Sequence, residues 1–138
     1  MDEGIVSFLK KNKNLTFATS VDDKPYCAHC FYAFDKERKL LVFMSDKETN
    51  HIKEAKKNKY VAGTVAPDKL VVAKIQGIQF RGNFIQPGSE NIEHFKKTYY
   101  TKYPFARAMP GDFWGVELTF IKMTDNTLGF GKKIEWKK

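Results

Sequence analysis

Residues 26–45 read YCAHCFYAFDKERKLLVFMS: two runs of β-forming residues separated by the polar segment Asp35-Lys36-Glu37-Arg38. Tyr26 to Phe34 and Leu40 to Met44 are expected to be strands joined by a tight turn, because aromatic and branched side chains fit a pleated, half-buried surface. Upstream, Leu15-Thr16-Phe17-Ala18-Thr19-Ser20-Val21 alternates apolar and polar residues and is ended by Asp22-Asp23-Lys24-Pro25. Three strands with such short links read as an antiparallel meander.

Working outward, residues 2–12 form a short amphipathic helix pattern, with Ile5, Phe8 and Leu9 at i, i+3, i+4 and acids in the first turn. After Met44, Ser45 and Glu48 have capping-box spacing and Ile52 and Ala55 give a buried stripe, so a second helix begins at Ser45 or, with Thr49 as the cap, slightly later. Tyr60 to Val65 is a fourth strand. A fifth is expected from Leu70 to Ile85, where Gly77 and Gly82 mark bulges or bends of the kind a small barrel needs to close. A third helix starts at Pro87-Gly88-Ser89, aligns Ile92, Phe95, Tyr99 and Tyr103, and stops at Pro104. Phe113 to Thr124 is a sixth strand with Trp114, Val116, Leu118 and Phe120 facing one way. Asp125-Asn126-Thr127 turns into a last strand from Phe130 to Trp136. The expected fold class is mainly β, a closed antiparallel barrel with inserted helices, forming one domain over residues 1–138.

The composition agrees with one folded core: 138 residues, 42% hydrophobic and 14% aromatic. No apolar run approaches the roughly 20 residues of a membrane helix, and Met1-Asp2-Glu3 opens no secretory signal, so a cytoplasmic protein is expected. The net charge of +8 comes from lysines spread along the chain, as at Lys10, Lys53, Lys56 and Lys137, which reads as a solvated surface. A nucleic-acid-binding barrel would interleave aromatics with Lys and Arg on one exposed strand face. Here the aromatics fall on alternating core positions.

Two stretches, Cys27-Ala28-His29-Cys30-Phe31-Tyr32-Ala33-Phe34-Asp35 and Leu41-Val42-Phe43-Met44-Ser45-Asp46-Lys47-Glu48-Thr49-Asn50-His51, resemble the paired strands and following turn of the pyridoxamine-phosphate-oxidase-like split barrels. Within that superfamily the chain is similar to a small bacterial branch, through Val61–Val65, Gly77–Gly82 and above all Thr124-Asp125-Asn126-Thr127-Leu128-Gly129-Phe130-Gly131-Lys132-Lys133. The resemblance implies a homodimer of six-stranded antiparallel split barrels holding FMN at the subunit interface. It implies a phosphate clasp at Ser45, Lys47, Thr49, Asn50 and His51. Where the oxidase carries its phosphate cations, this chain has Cys27, Tyr32, Asn50 and His51, and the oxidase's substrate-binding arginine and histidine have no counterpart. Pyridoxamine-phosphate oxidation itself is therefore not expected.

The same segment can be read from its chemistry. A Ser- or Thr-capped helix start presents backbone N–H groups and the positive end of the helix dipole, which suits a phosphate; binding nothing, it is an ordinary cap. Alternation places Ala28, Cys30, Tyr32 and Phe34 on one strand face, with Ala28 and Cys30 small enough for a flavin ring to approach. Gln76 or Gln79 offers an amide to the ring's pyrimidine edge, or else simply faces solvent; Gly129-Phe130-Gly131-Lys132-Lys133 reads as a turn entering the last strand, or else brings Lys132 or Lys133 to an FMN across a dimer interface. Cys27 and Cys30 have C-x-x-C spacing, but i and i+3 on a strand point to opposite faces and no second ligand pair exists. They are expected to be two buried free thiols, with no metal. The function this supports is an FMN-binding, oxidoreductase-like protein with an unknown small-molecule substrate. The alternative is a flavin or haem carrier or sensor on the same barrel.

Overall fold

The computed structural model describes residues 1–138. Its elements are α1 (Glu3–Lys11), β1 (Asn14–Val21), β2 (Lys24–Asp35), β3 (Leu40–Ser45), α2 (Asn50–Lys57), β4 (Tyr60–Val65), β5 (Gln76–Ile85), α3 (Ile92–Lys102), β6 (Asp112–Asp125) and β7 (Lys133–Lys137). β1 and β2 are joined by a two-residue hairpin in which Asp22 and Asp23 both have positive φ, 53° and 60°. That is the primed turn whose twist matches the strands it joins, and Asp tolerates it. All strand pairs are antiparallel, in the order β3-β2-β1-β4-β5-β6-β7, and β3 also pairs with β6. Those first six strands therefore close a barrel, and β7 adds to β6 outside the ring.

β6 makes this possible because it is 14 residues long: one edge pairs with β5 and the other with β3 and then β7. Its first part, Asp112–Glu117, pairs with Ser45–Leu40 of β3, and its second part, Phe120–Thr124, pairs with β7. The register against β5 shifts at Arg81/Gly82, where Thr119 is passed over. The bulge reverses the facing of everything beyond it. Trp114, Val116 and Leu118 point inward as expected, but Phe120 turns outward under Arg81, and Ile121 and Met123 take the inward places.

Two cores result. The barrel interior holds Leu15, Phe17, Tyr32, Phe34, Leu41, Phe43, Ile78, Phe80, Val116 and Leu118, closed by Ile5, Val6, Phe8 and Leu9 of α1. A smaller core lies outside the barrel, where Phe95, Tyr99, Tyr103 and Ala106 cover Ala33, Leu40, Val42 and Phe113. This second layer explains why β3 is apolar without alternation: Leu41 and Phe43 face in, Leu40 and Val42 face α3, and all four are buried. β1, covered on one side only, alternates instead.

Several expected boundaries move. The fifth strand begins at Gln76, not Leu70; residues 70–75 form an exposed loop with a 3-10 turn at Val72–Lys74. The last strand begins at Lys133, not Phe130, and Phe130 is 93% exposed. These apolar residues satisfy the composition of a strand but have no neighbouring strand to pair with. The third helix starts at Ile92, three residues beyond Ser89, because Pro87-Gly88 is held as a turn by Gly88 N–H donating to Asn91 Oδ1 at 2.7 Å.

The tightest point in the barrel is Gly63 on β4, where a Cβ would lie 2.0 Å from Thr16 O and 2.4 Å from Phe80 Cζ. Gly63→Ala should destabilise the protein by about 2–3 kcal/mol, read as a lowered urea midpoint with unchanged slope. Gly77→Ala, whose nearest neighbour would be Val65 O at 3.8 Å, should cost less than about 0.5 kcal/mol.

Candidate functional site

β3 ends at Ser45, directly opposite Asp112 of β6, and the chain then turns into α2. The helix cap is Thr49, not Ser45, and Thr49 makes no side-chain cap bond. Its hydroxyl donates instead to Asp46 O at 2.8 Å, and its N–H donates to the same carbonyl at 3.1 Å. The capping box expected at Ser45 and Glu48 does not form. Ser45 Oγ is 2.8 Å from His51 Nε2, and Glu48 pairs with Lys53. The first-turn amides of α2 are thus left without a side-chain acceptor, which is the condition under which a helix start receives an external anion.

Ser45, Thr49 and His51 come together around the His51 ring, which lies edge-on to Phe17 at 6.0 Å. Burial holds the His51 imidazole below its usual pKa, so the ring is neutral near pH 7. Asn50 donates to Glu54 at 2.6 Å, and Lys47 is exposed. Two turn amides are already taken by the chain's own carboxylates: Glu48 N–H donates to Asp46 Oδ1 at 2.7 Å and Lys47 N–H to Asp112 Oδ2 at 3.3 Å. Trp114 Nε1 donates to Ser45 O at 2.8 Å and fixes the strand end.

Ser45 and Asp46 also form one end of a cleft of about 390 Å³, within the roughly 300–1,000 Å³ of small-molecule sites. Its walls are Phe31 and Met44 of the barrel, Tyr99 and Tyr103 of the α3 layer, and Phe105 and Met109 of the segment that follows; Lys13 stands at its edge. Phe31, Phe105 and Met109 are more than half exposed. Burial and the neighbouring Tyr99 push the Tyr103 phenol upward, so it stays protonated and donates to Tyr32 O at 2.6 Å.

The side of β2 that faces this cleft is the opposite of the one expected. Cys30 and Tyr32 point into the barrel with Phe34, and Ala28 sits on the same inward side against Phe17. Tyr32 is fully buried and donates to Leu9 O at 2.8 Å, and burial pushes the Cys30 thiol up to about 12. None of these three side chains can reach a ligand in the cleft; Phe31, the odd-numbered neighbour, does. Cys27 is exposed rather than buried, and both cysteines are free. Gln76, Gln79 and Lys133 lie toward the far end of β6: Gln76 hydrogen-bonds the Asp125 carboxylate, Gln79 is exposed opposite Thr64 and Lys122, and Lys133 is exposed opposite Thr124. Sequence reasoning missed Phe105 and Met109 because they lie in a short 3-10 segment with no periodicity. The available signal was an apolar cluster between Pro104 and Gly111.

No family model matches the chain. Among curated proteins it is 38% identical over 131 residues to a UPF0306 protein of Photorhabdus laumondii, covering 95% of this chain and 92% of that one. It is also 38% identical over 134 residues to a UPF0306 protein of Cronobacter sakazakii, covering 97% and 93%. Among solved structures it superposes on a haem-binding protein from Mycobacterium smegmatis with TM-score 0.76 and 9% identity, covering 95% of this chain and 56% of that longer one. A FAD-binding protein from Mesorhizobium loti gives 0.73 and 13%, covering 89% and 93%. A protein of the pyridoxinephosphate oxidase family from Clostridium acetobutylicum gives 0.67 and 15%, covering 99% and 96%. At these identities the structures show the fold alone, a mainly β split barrel of the pyridoxamine-phosphate-oxidase type, here with seven strands rather than six. No helix is long and apolar enough to cross a membrane. With relatives this similar over nearly its whole length, the chain belongs to the UPF0306 family.

Proposed function

We propose that the protein binds FMN, with the phosphate against the start of α2 and the ring in the aromatic cleft. The observation that carries this is the continuity of the two features: Ser45 and Asp46 belong both to the turn before the uncapped helix and to the cleft wall. The residues fit a phosphate through backbone amides and the Ser45 and Thr49 hydroxyls rather than through cations, since His51 is held neutral and Asp46 and Asp112 stand nearby. That donor set favours micromolar rather than nanomolar affinity. Haem-binding and FAD-binding proteins share the barrel. The cleft walls hold no histidine, and the Tyr103 phenol is already committed to Tyr32 O, which favours a flavin over a haem ligated by imidazole or by that phenol.

Bound FMN would supply redox chemistry, as flavins do. The chain's own part would be to orient the ring between Phe31 and Tyr103 and to exclude water with Phe105 and Met109. Lys133 lies too far to serve its own cleft. It pairs with Thr124, twelve residues along β6 from Asp112, roughly 40 Å at ~3.3 Å per residue. A role for Lys133 therefore requires a second copy, which accords with a homodimer holding the flavin between subunits.

Titration with FMN should quench the emission of Trp114, whose indole is bonded to Ser45 O, with micromolar affinity. Thr49→Glu should abolish the quench while leaving the unfolding midpoint within about 0.5 kcal/mol of wild type; an unchanged FMN affinity would place the site elsewhere. A Soret band on haem titration with no FMN response would favour the haem alternative. In light scattering the protein should behave as a dimer, and Lys133→Glu should weaken FMN binding only in that dimer.

His51 gives a pH signature. Its folded pKa lies below the unfolded value of 6.5, so its contribution to stability is complete above that pH and is lost as pH falls through the folded pKa. The apo protein should therefore lose melting temperature as pH falls below about 6.5 and through the folded pKa. Saturating FMN should shrink that loss by stabilising the imidazolium, and His51→Gln should remove both effects.

A further inference from the structure

Two aromatic side chains serve neither core. Tyr60, at the start of β4, is 69% exposed, and Phe120 is turned outward by the bulge opposite Gly82. Both belong to the outer face of β4, β5, β6 and β7. The strand register places them there: Tyr60 lies opposite Asn83, and two residues along from it Ala62, Arg81, Phe120 and Lys137 stand in one row across the four strands. The next row is Thr64, Gln79, Lys122 and Glu135. The α3 layer covers the barrel elsewhere, over Ala33, Leu40, Val42 and Phe113, and leaves Tyr60, Gln79, Arg81 and Lys137 exposed. Each of the two rings carries a cation: Lys59 Nζ lies 5.6 Å from the centre of Tyr60, and the Arg81 guanidinium 5.7 Å from that of Phe120. Lys59, Arg81, Lys122 and Lys137 take part in no ion pair. Of the two acids on this face, Glu117 is held by Lys138 at 3.1 Å and Glu135 stands opposite Lys122.

We propose that this face binds single-stranded nucleic acid with little sequence preference, Tyr60 and Phe120 stacking bases while Lys59, Arg81, Lys122 and Lys137 meet phosphates. A bare sheet face with rings set among unpaired cations suits that ligand, because every base offers a flat surface and every nucleotide an anion. Two strands and two residues separate the rings, about 12 Å at ~4.8 Å per strand and ~3.3 Å per residue, so they take two bases that are not adjacent, with Arg81 on the strand between. The occupant follows from charge complementarity: in a chain of net charge +8, four cations left without carboxylates beside exposed rings fit a polyanion that also stacks. The sequence conceals this face, since unbroken alternation from Trp114 would carry Phe120 into the core; the bulge delivers it to the side of Arg81. None of these residues lines the cleft, so the inference does not depend on the FMN reading.

The probes are fluorescein-labelled oligouridylate and oligothymidylate of about 12 nucleotides and a duplex of the same length, titrated by anisotropy. The single strands should bind with micromolar affinity at about 50 mM salt and lose about 50-fold by about 200 mM, as four phosphate contacts require. The duplex, whose bases are stacked away, should bind about tenfold more weakly or worse. Tyr60→Ala, at an exposed position, should weaken single-strand binding by about fivefold or more, and Tyr60→Phe should restore it. Arg81→Gln with Lys122→Gln should lower the slope of log affinity against log salt by about 1.4. The same loss of charge on the helical side, Lys10→Gln with Lys97→Gln, should leave that slope unchanged. Equal effects of the two double variants, or a duplex bound as tightly as a single strand, would overturn the proposal by reducing it to net charge. Failure of wild type to bind either oligonucleotide would overturn it too; a dimer that Tyr60→Ala then turns into a monomer in light scattering would give the face to a second copy. Binding with the predicted responses in a protein that takes up no FMN would sustain this face while removing the flavin reading.

Discussion

The pairing of Leu40–Ser45 with Asp112–Glu117 is the constraint on which the rest of this structure depends. Without it the six strands would form an open sheet with two free edges; with it they become a barrel that buries Leu41, Phe43, Val116 and Leu118 in one interior. The partners lie about seventy residues apart in the chain, so their meeting is paid for by loop-closure entropy and returned by burial on both faces of β3. The same pairing places Ser45 beside Asp112 and lets Trp114 bond Ser45 O, which fixes the point where β3 gives way to α2. The candidate site is a by-product of barrel closure.

The outer layer contributes the second half of the site. α3 and the segment after it cover Ala33, Leu40, Val42 and Phe113 and pack against Met44, but leave Phe31 exposed. The uncovered strip between barrel and layer is the cleft. Its walls inherit aromatic character from the layer's own packing, in which Tyr99 packs tilted at 4.8 Å against Tyr103 and edge-on at 5.7 Å to Phe113. The cleft is therefore rigid on the Tyr side, where rings pack on rings, and open on the side of Phe105 and Met109.

In the proposed FMN site, phosphate recognition would depend on few charges. The oxidase-type cations are replaced by Cys27, Tyr32, Asn50 and His51. In the structure Tyr32 serves the core, Asn50 serves Glu54 and His51 is neutral. Lys102 lies over the rings of Tyr32 and Tyr103, and Lys13 is the cation that lines the cleft.

The sequence by itself determined the strands from Leu15 to Met44, the fourth strand at Tyr60–Val65, the three helices and the mainly β class, because each follows from local periodicity and turn chemistry. It also brought Ser45, Thr49 and His51 into one turn, since six residues of chain cannot separate them far. Only the tertiary structure decided what depends on distant partners. Residues 70–75 have a strand's composition but no strand beside them. Phe120 faces out because a bulge opposite Gly82 reverses its side. Phe31 rather than Ala28, Cys30 or Tyr32 meets the cleft, because which face of β2 becomes the interior is set by the closing of the barrel and the docking of α3. Alternation along a strand names two faces; only packing says which one is inside.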